Sequence, residues 1–434
     1  MQTPSTAGAS PGLEPVPGAR KKASRVRWWI VWTVFFSTVI NYISRQTFSV
    51  LSPVIAAQYH FTHTDLAKII GAFQLSYAIT WLVGGIFLDA VGTRIGLSVA
   101  VVFWSLVNIF MGFARSVSGF VAFRFMLGMG EGLNWPGASK TVAEWFPDQE
   151  RSLAVAIFDS GSSVGGAVAA LIIPLIALVW GWRTSFVLSG LLGFVWLFFW
   201  LRVYHPIARH PRVSPQEVAL IRAGRQKTHE IRDRNVSKWR LLGRDRNVWG
   251  VVLGRALTDP IGWFYVFWLP QYLSDARGFN LKQIALFAWL PFVAADIGNF
   301  TGGWISGYCI RRGMSTLRAR FAVCVASCLP LLAGIPAARA HSAYAALALI
   351  CLALWGFASW STMGLTLPSD LFPQELVATV TGLSGFAAGL AGVGFTYIVG
   401  ITVDRFSYGP AFLVASLMPI VATACLILLV RTSN

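Results

Sequence analysis

The chain has 434 residues, of which 55% are hydrophobic and only 12% are charged. Soluble domains carry about 25% charged residues, so the charges here are too few to cover a soluble surface of this size. Nineteen Trp and 31 Phe add more aromatic side chains than one soluble core needs. This composition excludes a disordered chain, a collagen-like fibre and a coiled coil, and it indicates an integral membrane protein.

The net charge of +17 comes from basic residues that cluster in a few segments between apolar stretches. Such clusters are typical of the cytoplasmic loops of membrane proteins. Nucleic-acid binding is not favoured, because no basic stripe with interleaved aromatic residues lies on a soluble module.

The N-terminal segment 1–26 is predicted to be a disordered basic tail. Its first 19 residues are rich in Pro, Gly, Ser, Thr and Ala, and Arg20, Lys21, Lys22 and Arg25 follow, with Arg27 just beyond the segment. An apolar run then extends from Trp28 to about Ile55. It is longer than the apolar part of a signal peptide and has no convincing cleavage site, so it is predicted to be a retained membrane-spanning helix.

Eleven further apolar segments of spanning length follow, which predicts an all-α membrane protein with twelve transmembrane helices. They fall into a first bundle (27–204) and a second bundle (247–431), separated by a basic linker (205–246). The predicted spans lie near 66–88, 97–113, 118–142, 152–177 and 183–204, then near 247–273, 282–308, 318–336, 343–368, 376–402 and 409–430.

The distribution of Lys and Arg predicts the orientation of these spans. If the N-terminus lies inside, 24 basic residues fall on the cytoplasmic side and six on the other. Because cytoplasmic loops carry the excess of Lys and Arg, both termini and the linker are predicted to be cytoplasmic.

The two bundles resemble each other. Gly84-Gly85 lies near the end of the second span, and Gly302-Gly303 lies at the corresponding place in the eighth. Glu144-Trp-Phe-Pro147 and Asp370-Leu-Phe-Pro373 likewise follow the fourth and tenth spans. Repeated halves that handle substrate at their interface are the plan of many secondary transporters.

Three ionisable residues lie deep in predicted spans: Arg45 in the first, and Arg124 and Glu131 in the fourth. A charge at the bilayer centre costs about 2.5–3.5 kcal/mol, so each needs a partner or a function. Arg124 and Glu131 share a helix face but are separated by about 10 Å of rise, too far for direct pairing. Our hypothesis is that Arg45 binds a carboxylate and Glu131 exchanges a proton. The alternative is a structural Arg–Glu bridge, and Arg124 fits a structural partner equally well.

Other polar residues inside spans are weaker candidates. Asp159 and Asp296 fit a second proton site or bridging contacts, whereas Arg255 and Asp259 are one turn apart and are expected to pair with each other. Possible sugar contacts are Tyr42, Tyr77, Gln74, Asn134 and Trp360.

No cofactor or metal is predicted. Glycines at 128, 130 and 132 lie inside a membrane helix, where they favour close packing rather than nucleotide binding. The five cysteines lie in apolar runs and the six histidines in loops or at helix ends, without a catalytic constellation. An enzyme is therefore not favoured.

The segment Gly85–Arg94 resembles the loop signature of the major facilitator superfamily, in which an acid and basic residues form a cytoplasmic gate. Gly85, Asp89, Gly92 and Arg94 fit that signature. Ala90 and Thr93 stand where basic residues are usual, which predicts a weaker gate.

Over residues 27–431 the chain resembles the anion:cation symporter family, and within it the bacterial hexuronate transporters. The matching segments include Tyr42–Thr47, Leu88–Gly96, Glu144–Ser152, Gly278–Pro291, Ala295–Gly298 and Ser369–Phe372. The resemblance implies proton-coupled import of organic anions by alternating access across the bacterial inner membrane. It assigns substrate contact to Arg45, Tyr42 and Tyr77, and proton coupling to Glu131, with Arg124 nearby.

One departure from the family concerns Ser44, which stands where many members have an Asp before the first-helix Arg. Glu131 then remains as the main proton site, with Asp159 as a possible substitute.

The sequence therefore predicts a monomeric carrier in the lipid bilayer that imports galacturonate or glucuronate with one proton per monoanion. Carriers of the same fold for aldonates, aldarates or aromatic carboxylates are the alternatives, and a channel or membrane sensor is a remote one.

Overall fold

The computed structural model describes residues 24–225, 245–372 and 374–430. Residues 1–23 of the predicted tail (1–26) and residues 226–244 of the predicted linker (205–246) lie outside these ranges, as do residues 431–434. Within them the chain is built of long helices that follow the predicted spans.

The first half contains six spans and then the start of the linker. Its helices are α1 (Val26–Tyr59), α2 (His63–Val91), α3 (Thr93–Met111), α4 (Val117–Glu131), α5 (Asn134–Trp145), α6 (Asp148–Trp180) and α7 (Trp182–Val203). The linker contributes a short 3-10 turn (Ile207–Arg209) and helix α8 (Pro215–Arg225). Helices α4 and α5 together form the fourth span.

The second half repeats this plan with six more spans. Its helices are α9 (Arg246–Asp275), α10 (Leu281–Phe287), α11 (Leu290–Arg311), α12 (Thr316–Leu331), α13 (Gly334–Arg339), α14 (Ala343–Leu371), α15 (Gln374–Arg405) and α16 (Gly409–Leu429). The pairs α10–α11 and α12–α13 form the eighth and ninth spans. Every predicted span thus falls on a helix or a broken helix, which confirms the all-α membrane fold in two six-helix bundles.

Ten helical segments of the described chain are long and apolar enough to cross a membrane. The other two spans are the fourth, which is broken, and the seventh, α9, which carries Arg255 and Asp259. We call the side of the molecule where the linker lies the linker side and the opposite side the far side.

The fourth span is not the continuous helix that the sequence predicted. Helix α4 ends at Glu131, and α5 begins at Asn134. Pro136 has no amide hydrogen, and its ring clashes with the carbonyl four residues earlier in a continuous helix, which here belongs to Gly132. The chain therefore breaks directly after Glu131, and this places the carboxylate at a helix end.

The linker is attached to the first half at the start of α1. Glu217 of α8 is fully buried and accepts hydrogen bonds from the backbone amides of Val26 and Arg27, both at 3.2 Å. The Arg27 guanidinium also binds Glu217 (2.9 Å) and Glu150 of α6 (2.7 Å). A carboxylate satisfies the unpaired N–H groups of a helix N-terminus, so α8 caps α1.

The two halves meet where α2 packs along α15, with further contact between α1 and α9 and between α6 and α10–α11. Small residues allow the close approach of α2 and α15. A Cβ added at Gly389 lies 2.6 Å from Ala78, and one added at Gly71 lies 2.9 Å from the Tyr397 ring. This inter-half seam surrounds the buried polar groups described below.

Glycine at position 128 is required for the packing of α4 on α2. A Cβ there lies 2.1 Å from Ser76 Oγ and 2.5 Å from the Phe73 carbonyl oxygen, which is backbone and cannot rotate away. We expect Gly128→Ala to destabilise the protein by about 1–3 kcal/mol, the usual cost of overpacking. Thermal melts of purified protein test this by a lowered apparent melting temperature.

Gly303→Ala is the matched control for that substitution. Gly303 lies inside α11 with open space around its added Cβ, and alanine favours helices over glycine. Its melting temperature should equal or exceed that of the parent. Equal melting of the parent and both variants would contradict the assignment of close packing to Gly128.

Candidate functional site

A buried ion pair joins the first and fourth spans near the middle of the molecule. Arg45 Nε of α1 donates to Glu131 Oε2 at 3.2 Å, and Arg45 Nη2 donates to Asn41 Oδ1 at 3.0 Å. The Arg45 side chain is 7% exposed and that of Glu131 is fully buried. The other carboxylate oxygen, Glu131 Oε1, has no hydrogen-bond partner in the described part of the chain.

Arg124 lies beside this pair and is a fully buried cation to which no carboxylate of the described residues is bonded. Its Nη1 donates to the Arg45 carbonyl oxygen at 3.2 Å, whereas its Nε and Nη2 have no partner among the described residues. Its guanidinium carbon lies 4.4 Å from the centre of the Phe73 ring and 5.7 Å from that of Phe267, which belongs to α9 of the other half. Aromatic faces attract a cation but do not neutralise its charge.

The cluster of Arg45, Arg124 and Glu131 is therefore electrically unbalanced. Two guanidinium groups, which stay charged, face one carboxylate, and all three side chains are buried. A buried charge without a counter-charge is costly, so the cluster favours an incoming anion.

Two tyrosines flank the Arg45 guanidinium. Its carbon lies 4.4 Å from the centre of the Tyr42 ring and 4.5 Å from that of Tyr77. The structure thus brings together four candidate site residues that the sequence analysis identified on three different spans: Tyr42, Arg45, Tyr77 and Glu131.

Gln74 lies one turn from Tyr77 and reaches across the seam between the halves. Its Oε1 accepts a hydrogen bond of 2.9 Å from Thr396 Oγ1 of α15, and its Nε2 has no partner in the described chain. Trp81, one turn further along α2, also has a buried indole N–H without a partner there. Trp81 was not among the predicted site residues. The sequence signal that would have identified it is its position four residues after Tyr77, on the same face of α2.

Asn134 and Trp360 do not belong to this cluster. The Asn134 amide is bonded at both ends, accepting from Ser37 Oγ (2.5 Å) and donating to Thr38 Oγ1 (3.2 Å), so it holds α5 against α1. Trp360 is fully buried in the core of the second half, where its only donor binds Thr423 Oγ1 at 2.9 Å.

The remaining intramembrane charges form two sets. Arg255 and Asp259 pair with each other, as predicted, with Nη2 2.8 Å from Oδ2, and Arg255 also donates to Ser384 Oγ at 3.0 Å. Asp159 of α6 and Asp296 of α11 come from opposite halves and interact electrostatically. Neither has a salt bridge to a cation in the described chain.

The predicted gate residues lie at the linker side. Asp89 is exposed and binds Lys140 Nζ of α5 at 2.5 Å, while Lys140 also donates to the Leu88 carbonyl oxygen. Gly85 has open space around it, Gly92 adopts a φ of +80° between α2 and α3, and Arg94 donates to the Leu201 carbonyl oxygen at 2.6 Å. Sequence analysis missed Lys140, because it lies in another span.

Thr93, which stands in place of a basic residue, takes part in a different contact. Its hydroxyl donates to Glu144 at 2.8 Å, and Glu144 also accepts from the Tyr204 hydroxyl. Burial, together with the neighbouring Glu144 carboxylate, raises the pKa of Tyr204, so its phenol stays protonated as a donor. These bonds tie α3, α5 and the end of α7 together within the first half.

Two repeated six-helix bundles with buried charges at their interface define the class of secondary transporters. The sequence profile of the Major Facilitator Superfamily matches residues 34–396, and the chain belongs to that superfamily. It is a transporter and not an enzyme.

Several bacterial transporters are similar to this chain over most of its length. The hexuronate transporter of Escherichia coli (strain K12) is 31% identical over 401 residues, which are 91% of each chain. The galacturonate transporter of Dickeya chrysanthemi is 33% identical over 285 residues, 65% of this chain and 82% of that one. The D-galactonate transporter of Escherichia coli O6:H1 is 29% identical over 427 residues, 96% and 98% of the two chains.

Solved structures share the fold at lower identity. The E. coli xylose transporter in its inward open conformation has a TM-score of 0.72 and 15% identity, with 94% of this chain and 97% of that one covered. A bacterial homolog of the human lysosomal transporter Spinster, inward-facing and occupied, has a TM-score of 0.69 and 16% identity, covering 94% and 96%.

Proposed function

We propose that the protein is a proton-coupled symporter that imports hexuronates, such as galacturonate or glucuronate, by alternating access. The observation that carries this proposal is the excess of positive charge among Arg45, Arg124 and Glu131. When Glu131 is protonated the cluster carries two uncompensated positive charges, and a buried site with free guanidinium donors then binds a carboxylate by charge-assisted hydrogen bonds.

The substrate class is supported by the relatives, which are named transporters of hexuronate, galacturonate and galactonate. In our proposal the planar fork of Arg45 binds the sugar carboxylate between the rings of Tyr42 and Tyr77. The tyrosine hydroxyls and the unpartnered Gln74 amide then serve the sugar hydroxyls. Trp81 is an added candidate for stacking or hydrogen bonding to the ring.

Proton coupling follows from competition for Arg45. Its Nε is bonded to Glu131, so a substrate carboxylate that takes over this donor leaves the Glu131 carboxylate without a cationic partner. A buried carboxylate that loses its partner takes up a proton. Substrate binding and protonation of Glu131 thereby promote each other, and one proton accompanies one monoanion.

The orientation in the membrane, a second proton site and the oligomeric state complete the proposal. Both termini and the linker lie on the cytoplasmic side of the bacterial inner membrane, and the far side faces the periplasm. If transport moves net charge, a second proton is carried, and Asp159 and Asp296 are the proposed site for it. The carrier acts as a monomer.

Uptake of labelled galacturonate into liposomes tests this function. With an acidic medium and a more alkaline interior, the parent should accumulate substrate about tenfold per pH unit, because each unit is worth about 1.4 kcal/mol. A protonophore should abolish accumulation, and glucuronate should compete. Clamping the membrane potential at different values should leave the rate unchanged.

Liposomes with the Arg45→Ala variant serve as the blank. Counterflow by the parent protein shows that the vesicles are intact. Saturable counterflow excludes a channel. Uptake of an aldonate or an aromatic acid in place of hexuronates would contradict the substrate class and favour the alternative carrier. Dependence on membrane potential would contradict the stoichiometry and point to Asp159 and Asp296.

A further inference from the structure

A second polar cluster, unrelated to the substrate site, joins the two halves at the far side. Its centre is His63, the first residue of α2, and its partners are Asp275 and Asp404 at the ends of α9 and α15. His63 Nε2 lies 2.8 Å from Asp275 Oδ2, and His63 Nδ1 lies 2.8 Å from Asp404 Oδ1. One imidazole thus bridges two carboxylates of the opposite half.

The chemistry of these contacts sets the charge of the imidazole. Ionised carboxylates only accept hydrogen bonds, so both ring nitrogens must donate, and this requires the protonated imidazolium. A neutral ring carries a lone pair on one nitrogen and points it at a carboxylate oxygen. The bridge therefore binds one proton when it forms.

Asp404 also caps α2 from the other half. It accepts from the backbone amides of His63 (2.9 Å) and Thr64 (2.8 Å) and from the Thr64 hydroxyl (2.5 Å). A carboxylate near a helix C-terminus is unfavourable, whereas one at an N-terminus is favourable. Asp404 lies in the last turn of its own helix and gains this compensation only while the halves touch here.

Other titratable groups lie around His63. The Tyr408 hydroxyl donates to Asp275 at 3.0 Å, and burial together with Asp275 raises the pKa of Tyr408, so it remains a donor. On its own helix, Asp65 pairs with Lys68 at 2.9 Å. Arg339 lines the adjoining 600 Å³ cavity together with Asp275. A Cβ at Gly400 lies 2.8 Å from the His63 carbonyl oxygen, so the helices are in close contact.

We propose that His63, Asp275 and Asp404 form a proton-operated latch that holds the far side closed. Protonation of His63 closes the latch and deprotonation opens it, so acid on the far side favours the closed state. Opening separates α2 from α9 and α15 and exposes all three side chains to that compartment. The latch senses pH independently of substrate and is separate from the site at Arg45 and Glu131.

Distances between spin labels on the two halves test the latch without substrate, so the result does not depend on the proposed function. Labels at Arg115→Cys and His341→Cys, both exposed at the far side, are placed in the full chain with the five native cysteines replaced. For the parent in lipid nanodiscs we expect a short-distance population that dominates at pH 5.5 and declines as the pH rises to 9.

His63→Gln removes the titrating group. We expect its closed-to-open ratio at pH 5.5 to fall about tenfold or more, the value of losing a hydrogen bond to a charged group, and to be independent of pH. Asp275→Asn keeps the shape but removes one of the two charges, so the midpoint of closure should move to lower pH by about one unit or more. It also serves if His63→Gln does not fold.

His60→Asn is the matched control. His60 is exposed in the same turn with a φ of 55°, a conformation that Asn tolerates, and this variant should titrate like the parent. A parent population that does not change with pH, or a His63→Gln or Asp275→Asn protein that titrates like the parent, overturns the proposal. A loss of titration in His60→Asn overturns it as well, because the wrong imidazole would then be responsible.

Discussion

Arg45→Lys should lose substrate binding even though it keeps the positive charge. The Arg45 fork bonds Glu131 and Asn41 at once, and in our proposal it must also hold the substrate carboxylate. A lysine ammonium is a point charge and does not match the two oxygens of a carboxylate. Losing one hydrogen bond to a charged group costs about 1.5–3 kcal/mol, which predicts a drop in affinity of about 10- to 100-fold. Calorimetry with galacturonate measures it.

Arg255→Lys is the matched control for that experiment. Arg255 is another buried arginine bonded to a carboxylate, but its partner is Asp259 on its own helix and it lies outside the cluster. Its galacturonate affinity should stay within a few-fold of the parent. Parent-like affinity in Arg45→Lys would contradict direct binding by Arg45, and equal loss in both variants would indicate a general packing defect.

Composition and hydropathy were sufficient to predict the fold, because a bilayer forces each apolar segment into a helix whose backbone bonds are all internal. They did not predict the break in the fourth span. Pro136 was visible in the sequence, but a proline inside an apolar run is tolerated in many spans, so the residue by itself does not show whether a span is broken.

The centre of the candidate site was also predictable, since a charge inside a span is rare and demands a partner. Arg45 and Glu131 were therefore identified, and their direct contact was one of the expected outcomes. Asn134 and Trp360 were chosen only as polar or aromatic groups within spans. Their hydrogen bonds to Ser37 and Thr423 depend on tertiary contacts that composition does not reveal.

Contacts between distant segments were the hardest to predict. Lys140 pairs with Asp89 across 51 residues, and His63 meets Asp404 across 341. One signal was present: an acid at the C-terminal end of a helix is unfavourable unless something compensates it. Asp275 and Asp404 both have that position, but the signal does not show which cation or helix N-terminus faces them.

Glu131→Gln should uncouple transport from protons and leave exchange intact. Glutamine has the shape of a protonated glutamate, and its amide oxygen still accepts from Arg45 Nε, so the site can alternate with substrate bound. It has no proton to release, however, and the pH gradient can no longer drive accumulation. We expect counterflow near the parental rate, an accumulation ratio of about one, and no increase in uptake as the medium is acidified. The parent should accumulate about tenfold per pH unit.

Asp159→Asn distinguishes Glu131 from the other candidate acid. If Glu131 carries the coupled proton, Asp159→Asn keeps a pH-driven accumulation equal to that of the parent. The reverse pattern, with accumulation retained in Glu131→Gln and lost in Asp159→Asn, transfers the coupling to the acid pair between α6 and α11. In that case the bond between Arg45 and Glu131 is a structural bridge, and substrate reaches Arg45 by displacing it without a proton.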